Sequence, residues 1–378
     1  MSKTSIPEKV KVMLAGRAAG RCEFRGCNEE LTEDQLTRST ANYGAFAHIV
    51  ADSPGGPRGD EIRSPLLAQS IDNLMLMCFT HHKLIDGDHW RDYPEAELLE
   101  MKAEHEARIR DFTSHKGEHK THLLLMDAGI GRRTGLVTRE VAAKAVLPRY
   151  AQGETWIPLS RSRLEDGEDL FWQTGIVEVD RAAGEVGELF RRREVGHLSI
   201  FALGPIPLLM WLGYRLGDIF PGEAFQRRRD IQGWEWSESA DDPAYELLRD
   251  RLAGSGGPAV LLISITDEVL IPEDLRNLPV LTLRAAAPRL DIIKTRPQVE
   301  SFKHYLRQAM SLLKGFSVVH VVAALPNSLA VEFGMAQLPK VHCPLALWDK
   351  NEARGGFIPT IVLHGGSARL AEGPRPGA

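Results

Sequence analysis

The chain has 378 residues, 43% of them hydrophobic and 26% charged, which is room for two or three domains of ordinary globular composition. No apolar run reaches membrane-spanning length, the charged N-terminus MSKTSIPEKVKV has no apolar signal core, and four cysteines are too few for a disulfide scaffold; a cytoplasmic protein with no membrane partner is expected. The net charge of −5 excludes bulk electrostatics as a source of nucleic-acid affinity, and residues 1–115 are themselves acidic, with about 14 Lys+Arg against about 19 Asp+Glu.

In chain order, residues 7–20 (PEKVKVMLAGRAAG) predict a short helix, with Pro7 in its first turn and Val10, Met13 and Leu14 on one face. The first 28 residues carry a local basic strip of Lys3, Lys9, Lys11, Arg17, Arg21 and Arg25, the region's one electrostatic footing for DNA. A loop-rich stretch follows to about residue 90, with the turn-forming run SPGGPRGD at 53–60. Residues 94–112 predict an amphipathic helix with Leu98, Met101, His105 and Ile109 at helical spacing. The polar, aperiodic segment 113–122 marks the boundary between domains at 1–115 and 116–378. Beyond it, HLLLMDAGI (122–130), LSIFAL (198–203), AVLLISI (259–265), VLTLRA (280–285) and SVVHVVAAL (317–325) read as buried strands alternating with helices, the pattern of an α/β domain.

Within that second part, Ala202–Gly213 aligns with Ala323–Gly334 at a constant offset of 121, with Ala, Pro, Leu and Gly coinciding at Ala202/Ala323, Pro205/Pro326, Leu208/Leu329 and Gly213/Gly334. Each copy reads as strand, turn, proline at a helix start and an apolar helix face, so a duplicated α/β half folded into a pseudo-dimer is expected. Two helices that start after buried parallel strands aim N–H groups at one crevice, a place suited to the phosphates of a ligand. The expected contacts are Gly204, Pro205 and Pro207 on one side and Leu325, Pro326, Asn327 and Ser328 on the other. Arg227, Arg228, Trp234 and Trp236, and less so Trp172 and Tyr214, offer faces to bases. Ser328→Glu is expected to repel phosphate and leave stability unchanged. Lys303 and His304 are expected on the surface.

Chemistry concentrates in the first quarter. Cys22-x4-Cys27 and Cys78-x2-His81 are two close pairs of soft or borderline donors, and together they supply the four ligands of a structural zinc ion (Zn2+). Gly26, inside C-E-F-R-G-C, suits the positive φ of a tight turn. Interleaved with these pairs lie His48 (AFAHIV), Asn73 (IDNLMLMC) and His82.

Over roughly residues 15–95 this constellation resembles the HNH endonuclease family. The resemblance implies a ββα-metal element in which His48 is the general base, Asn73 fixes its orientation through backbone hydrogen bonds, and His82 holds a catalytic divalent ion, Mg2+ or another divalent transition ion. Many members carry Asp immediately before the base; Ala47 stands there in this chain, so the second protein ligand is open among Asp52, Asp72 and Asp86. Residues 120–370 resemble the SAVED domain, on FALGPIPLLMWLGYRLGD (201–218), QRRRDIQGWEW (226–236) and HVVAALPNSLAVEFG (320–334). That resemblance implies a fold of two CARF-like (Rossmann-like) halves. The combined expectation is an α+β chain in which an HNH zinc module precedes an α/β sensor. It resembles the effector nucleases of CBASS antiphage systems: a metal-dependent endodeoxyribonuclease, activated by a cyclic di- or trinucleotide, that assembles as a homo-oligomer and degrades double-stranded DNA with little sequence preference. A modification-dependent restriction endonuclease and a non-catalytic DNA-binding regulator are the competing readings.

Overall fold

Pro7, at φ −58° and ψ 141°, stands just outside the first turn as the N-cap of α1 (Glu8–Arg17). The buried stripe of this helix is Val10–Leu14–Ala18, one residue per turn, whereas Met13 is 43% exposed and does not belong to the face assigned to it from spacing. These positions belong to a computed structural model that describes residues 4–33, 39–113, 119–128, 137–159, 168–217, 220–339, 341–351 and 356–371. Lys3 of the basic strip, residues 114–118 of the polar segment, the end of HLLLMDAGI at 129–130 and Asp218 lie outside the described residues. The chain divides into two units, 1–116 and 117–378.

In the first unit, β1 (Gly44–His48), the short helix α2 (Arg63–Leu67), β2 (Leu74–Cys78), α3 (Phe79–Asp86) and α4 (Glu95–Thr113) follow α1. β1 and β2 pair antiparallel, Gly44 opposite Cys78 and His48 opposite Leu74, and α3 begins at the residue after β2. Every residue of LMLMC in β2 is buried, which explains why the segment lacks the alternation of a half-exposed strand. Its side chains pack with Leu14, Ile49, Ile85, Leu98 and Met101 into one core. On α4, His105 is buried and its Nε2 bonds the Ala18 carbonyl at 3.0 Å, tying the last helix of the unit to the end of the first.

The second unit contains two sheets. β3 (Lys120–Asp127), α5 (Arg139–Ala145), β4 (Tyr150–Ile157), α6 (Asp169–Arg191), β5 (Leu198–Leu203), α7 (Ile206–Leu216) and β6 (Gly222–Ala224) build a parallel sheet of order β4-β3-β5-β6. Then β7 (Tyr245–Arg251), β8 (Pro258–Ser264), β9 (Val280–Ala285), α8 (Arg296–Leu312), β10 (Val318–Ala324), α9 (Asn327–Met335), β11 (Leu345–Asn351), β12 (Gly356–His364) and β13 (Ser367–Leu370) form the order β13-β12-β11-β10-β8-β9-β7. Its middle strands β11-β10-β8-β9 are parallel and the outer ones antiparallel. The central strands β5 and β8 are buried on both faces, as dense runs of branched apolar residues require. Among the described residues no helix is long and apolar enough to cross a membrane.

The 121-residue offset appears in three dimensions. β5 leads into α7 through Pro205 (φ −58°), and β10 leads into α9 through Pro326 (φ −60°). α7 and α9 cross with their backbones in contact: a Cβ on Gly213 would lie 1.9 Å from the Val331 carbonyl oxygen, and one on Gly334 would lie 2.0 Å from that of Met210. Met210 and Val331 are themselves partners at the same offset, so one contact occurs twice, exchanged between the copies. Only glycine permits that approach.

This crossing predicts opposite outcomes for two Gly→Ala changes. Gly334→Ala should destabilise the second unit by about 2–3 kcal/mol in urea unfolding, because helix backbones must part to admit one methyl group. Gly184→Ala in α6, where an added Cβ meets nothing within 4 Å, should be neutral or stabilise by up to about 1 kcal/mol.

Candidate functional site

The sequence C-E-F-R-G-C folds as a tight knuckle: Cys27 N bonds Phe24 O at 3.0 Å, and Gly26 adopts φ 83°. Glu23 N bonds Leu76 O at 2.9 Å, which lays the knuckle against β2. Cys78 then ends β2 and N-caps α3, its sulfur accepting the His81 amide at 3.5 Å. Those two local structures bring four donors together. Cys22 Sγ, Cys27 Sγ, Cys78 Sγ and a His81 ring nitrogen all lie within 4.8 Å of one another, with His81 Nδ1 at 3.8 Å from Cys22 Sγ and 3.1 Å from Cys78 Sγ. A tetrahedral zinc with Zn–S about 2.3 Å and Zn–N about 2.0 Å needs donor separations of about 3.5–3.8 Å, so the four residues fit the ion. Phe24 stacks flat on the His81 ring, centroids 4.1 Å apart, and holds its plane. Burial pushes the Cys22 thiol up to about 12, with Cys27 adding to the rise; a cation supplies what a thiolate needs there.

On the same ββα unit, His48 closes β1. Its Nε2 lies 2.9 Å from the Ala68 carbonyl oxygen, which can only accept, so Nε2 carries a proton and in the neutral ring the lone pair is on Nδ1. Asn73 grips the backbone two residues past His48 with both ends of its amide: Val50 N donates to Oδ1 and Nδ2 donates to Val50 O, each at 2.8 Å. His82 projects from α3, and its Nε2 stands 3.2 Å from Oδ2 of Asp86 one turn later. Two donors at right angles about an octahedral ion with bonds of about 2.1 Å stand about 3.0 Å apart, so this pair matches one edge of such a site.

The geometry ranks the three candidate carboxylates. Asp52 accepts the Thr4 amide at 3.1 Å and Asp72 pairs with Arg17 at 3.5 Å, whereas Asp86 faces His82. The basic strip is largely neutralised: Lys11 pairs with Glu8, Arg17 with Asp72, Arg21 with Glu30, and Arg25 with Glu97, Glu100 and Glu104. The Arg25 pairs join the knuckle to α4, and the strip is not the free cationic surface expected from its sequence.

Arg58 went unnoticed in the turn SPGGPRGD. It takes φ 56°, rare for a side chain of its size, and its guanidinium is buried. Nε donates to Ile49 O at 2.6 Å, Nη1 to Ile85 O at 2.8 Å, and Nη2 to Asp86 Oδ1 at 2.9 Å and His48 O at 3.5 Å. One nitrogen therefore reaches both the residue of the candidate base and the carboxylate of the candidate metal pair.

In the second unit a cleft of about 330 Å³ opens at the carboxyl ends of β5, β8 and β10, represented by Leu203, Thr266 and Leu325. Ligands of α/β sheets occupy such a place. Of the residues chosen from sequence, Arg227, Leu325, Pro326 and Asn327 line it. Gly204, Pro205 and Pro207 do not: an added Cβ on Gly204 would meet Ala128 and Met126, so the start of α7 packs on the end of β3. Ser328 is 1% exposed, and its amide and hydroxyl both donate to Gln226 Oε1, at 3.1 and 2.9 Å. Glu at 328 would bury a charge in that contact, so the change tests stability and not only ligand repulsion. Arg228 is buried and donates to Asp230 and to Glu235 O; it shapes the loop from within. Trp234 packs edge-on against Phe201 in one buried cluster, Trp172 and Tyr214 are buried in another, and Trp236 is half-buried against Phe225. His304 is exposed as expected, but Lys303 is half-buried, 3.4 Å from the buried carboxylate of Glu332. The cleft's other polar walls, Gln226, Arg229, Gln232, Thr266 and Asp291, were missed. Three of them lie in the quoted run QRRRDIQGWEW, and Thr266 follows a strand end, where the rule for α/β sheets directs attention.

Residues 180–363 match the family model of SAVED, the SMODS-associated and fused to various effectors sensor domain. Among solved structures, the chain is similar to the Cap4 SAVED/CARF-domain containing receptor of Acinetobacter baumannii with the cyclic trinucleotide 2′3′3′-cAAA (14% identity, TM-score 0.41, covering 71% of this chain and 56% of that one). It is also similar to the Cap4 receptor of Moraxella osloensis (14% identity, TM-score 0.39, covering 71% and 59%). The chain thus spans less than two thirds of the length of either receptor. No curated protein sequence matches it.

The four converging donors predict about one tightly held zinc per chain in metal analysis of the purified protein. Cys22→Ser and Cys78→Ser should lose that zinc and with it the folding of residues 1–116, read as loss of its melting transition and rapid proteolysis. Full zinc content in either variant would contradict the ligand assignment.

Proposed function

We propose that this chain is a ligand-gated, metal-dependent endodeoxyribonuclease of the HNH type, whose second unit senses a cyclic di- or trinucleotide in a CBASS antiphage system. The observation that carries the nuclease half is the ββα unit. It sets His48, with its basic nitrogen defined, and the His82–Asp86 pair on one guanidinium, next to a Cys3His cluster suited to zinc. The SAVED match and the strand-end cleft support the sensing half.

In this reading His48 Nδ1 accepts a proton from water as the oxygen attacks phosphorus, while Nε2–H stays on the Ala68 carbonyl and keeps the ring in one tautomer. Asn73 holds the strand end so that the ring cannot swing away. A divalent cation held by His82 and Asp86 would neutralise charge on the phosphate and the departing 3′ oxygen. His81 and His82 are consecutive in α3, so a zinc on the first fixes the helix that carries the second. In the second unit, Arg227, Asn327, Gln226 and Gln232 line the cleft, and their N–H donors, which bond carbonyl oxygens of the protein itself, would exchange those partners for phosphates and base edges. Ligand-driven homo-oligomerisation completes the switch, and it asks the ligand to favour the assembled state by several kcal/mol.

Plasmid DNA incubated with the protein and Mg2+, with and without a panel of cyclic di- and trinucleotides, tests this directly. Cleavage should require both the ion and one cyclic nucleotide. His48→Ala should lower the rate by on the order of 10²–10⁴-fold with ligand affinity unchanged. Cleavage that follows DNA modification and ignores every nucleotide would favour a restriction enzyme, and sequence-specific binding without cleavage a regulator. For the cleft, Arg227→Ala should weaken binding of the activating nucleotide by roughly 10- to 100-fold in calorimetry; because Arg227 also donates to Arg228 O and Gly233 O, an unchanged melting temperature of the second unit distinguishes a lost ligand contact from a disturbed loop. Unchanged affinity would place the ligand elsewhere.

A further inference from the structure

We infer that Arg58 is a positioning residue that sets the affinity of the His82–Asp86 pair for its divalent cation; the inference rests on the nuclease reading above. A guanidinium has five N–H donors and no acceptor. Here all five have partners. Nε is spent on Ile49 O, Nη1 on Ile85 O with Trp90 O and Tyr93 O at 3.4 and 3.5 Å, and Nη2 on Asp86 Oδ1 and His48 O. The side chain is 6% exposed, so it has neither a free N–H nor a path to a substrate phosphate.

What it can do is act through Asp86. By holding Oδ1 it leaves Oδ2 turned toward His82 Nε2, the edge that fits a cation. The same fork grips the carbonyls of residues 48 and 49 at the end of β1 and of residue 85 on α3, so base and metal ligands share one rigid brace. Burial draws the Arg58 pKa down, and the charges of Asp86 and, more weakly, Glu95 oppose this; Asp86 is the one of the two that also hydrogen-bonds the guanidinium. The turn takes φ 56° at Arg58, a conformation uncommon for a residue with a side chain, and so aims the guanidinium at these carbonyls and at Asp86. Lysine cannot substitute, because a single ammonium lacks the planar fork that reaches carbonyls and carboxylate together.

The test is Mn2+ titration of the full chain, followed by the loss of the free-ion paramagnetic signal, in four proteins: the parent, Arg58→Lys, Asp86→Asn and the double variant. Outer-shell changes of this kind weaken metal binding by roughly 10- to 100-fold. Arg58→Lys should therefore bind Mn2+ that much more weakly while keeping its zinc, and excess Mg2+ should restore much of its cleavage rate. In the Asp86→Asn background the further change Arg58→Lys should shift Mn2+ affinity less than about twofold, because the route of its action is already gone. Equal Mn2+ affinity in parent and Arg58→Lys, or additive losses in the double variant, overturns the inference and leaves the nuclease reading standing. A parent that takes up no Mn2+ beyond its zinc site overturns both. If Arg58→Lys loses its zinc and fold, Arg58→Gln is measured in its place, and loss of fold in both makes Arg58 purely structural.

Discussion

The second unit depends on one steric fact: two helix backbones touch where Gly213 and Gly334 cross. Each helix hangs from a central strand of a different sheet, α7 from β5 and α9 from β10, so the crossing fixes the two sheets against each other without a continuous hydrogen-bond ladder. Leu208, Leu209, Trp211, Leu329 and Phe333 around it are all but inaccessible to solvent. Together with the hydrophobic faces of both sheets they form one core, so neither half can be removed without exposing the seam. The cleft at the strand ends is a product of the same crossing, since its walls come from both sheets.

The first unit solves a different problem. A two-stranded sheet with a short helix cannot bury enough surface to stand alone, and this one leans on α1, α4 and a cluster of soft donors. Cys78 is shared by three devices: the last residue of β2, the N-cap of α3 and a member of the donor cluster. Four residues later His82 is in place. The geometry of the candidate reactive pair is thus inherited from the knuckle through one turn of helix, and Arg58 closes the frame from the opposite side.

Much of this was legible in the sequence, for identifiable reasons. Cys-x4-Cys and Cys-x2-His each name two donors that a single tight turn or helix start holds close, and dense apolar runs such as LSIFAL announce buried strands. What could not be read was side-chain destination. Met13 and Leu14 are both apolar and adjacent, yet only the second points inward, because the helix buries a stripe one residue wide. Arg227 and Arg228 are chemically identical neighbours, and the backbone sends one to the cleft and the other beneath the loop. Arg58 was hidden because turn chemistry explains the glycines around it and leaves the arginine looking incidental.

The repeat also explains why the cleft is lopsided. Under the 121-residue offset the helix start Gly204-Pro205-Ile206-Pro207 corresponds to Leu325-Pro326-Asn327-Ser328. The first start has two prolines, which carry no N–H, and an isoleucine where the second has an asparagine. It has little to offer an anion, and it packs instead on Met126 and Ala128. The second start keeps its amides; Asn327 reaches across to Ala202 O at 3.3 Å, and Ser328 is capped by Gln226 from the loop after β6. Equal backbones thus carry unequal chemistry: one helix start packs into the interior and the other lines the cleft. A symmetric crevice with matching helix starts, which the repeat alone suggests, requires donors at both starts, and Pro207 removes one of them. The asymmetry continues along the helices, where the position of Trp211 in the first copy is held by Glu332 in the second. Burial raises the pKa of that carboxyl, and Lys303 from α8 offsets the cost. A duplicated scaffold has kept its seam symmetric and let its two ends diverge.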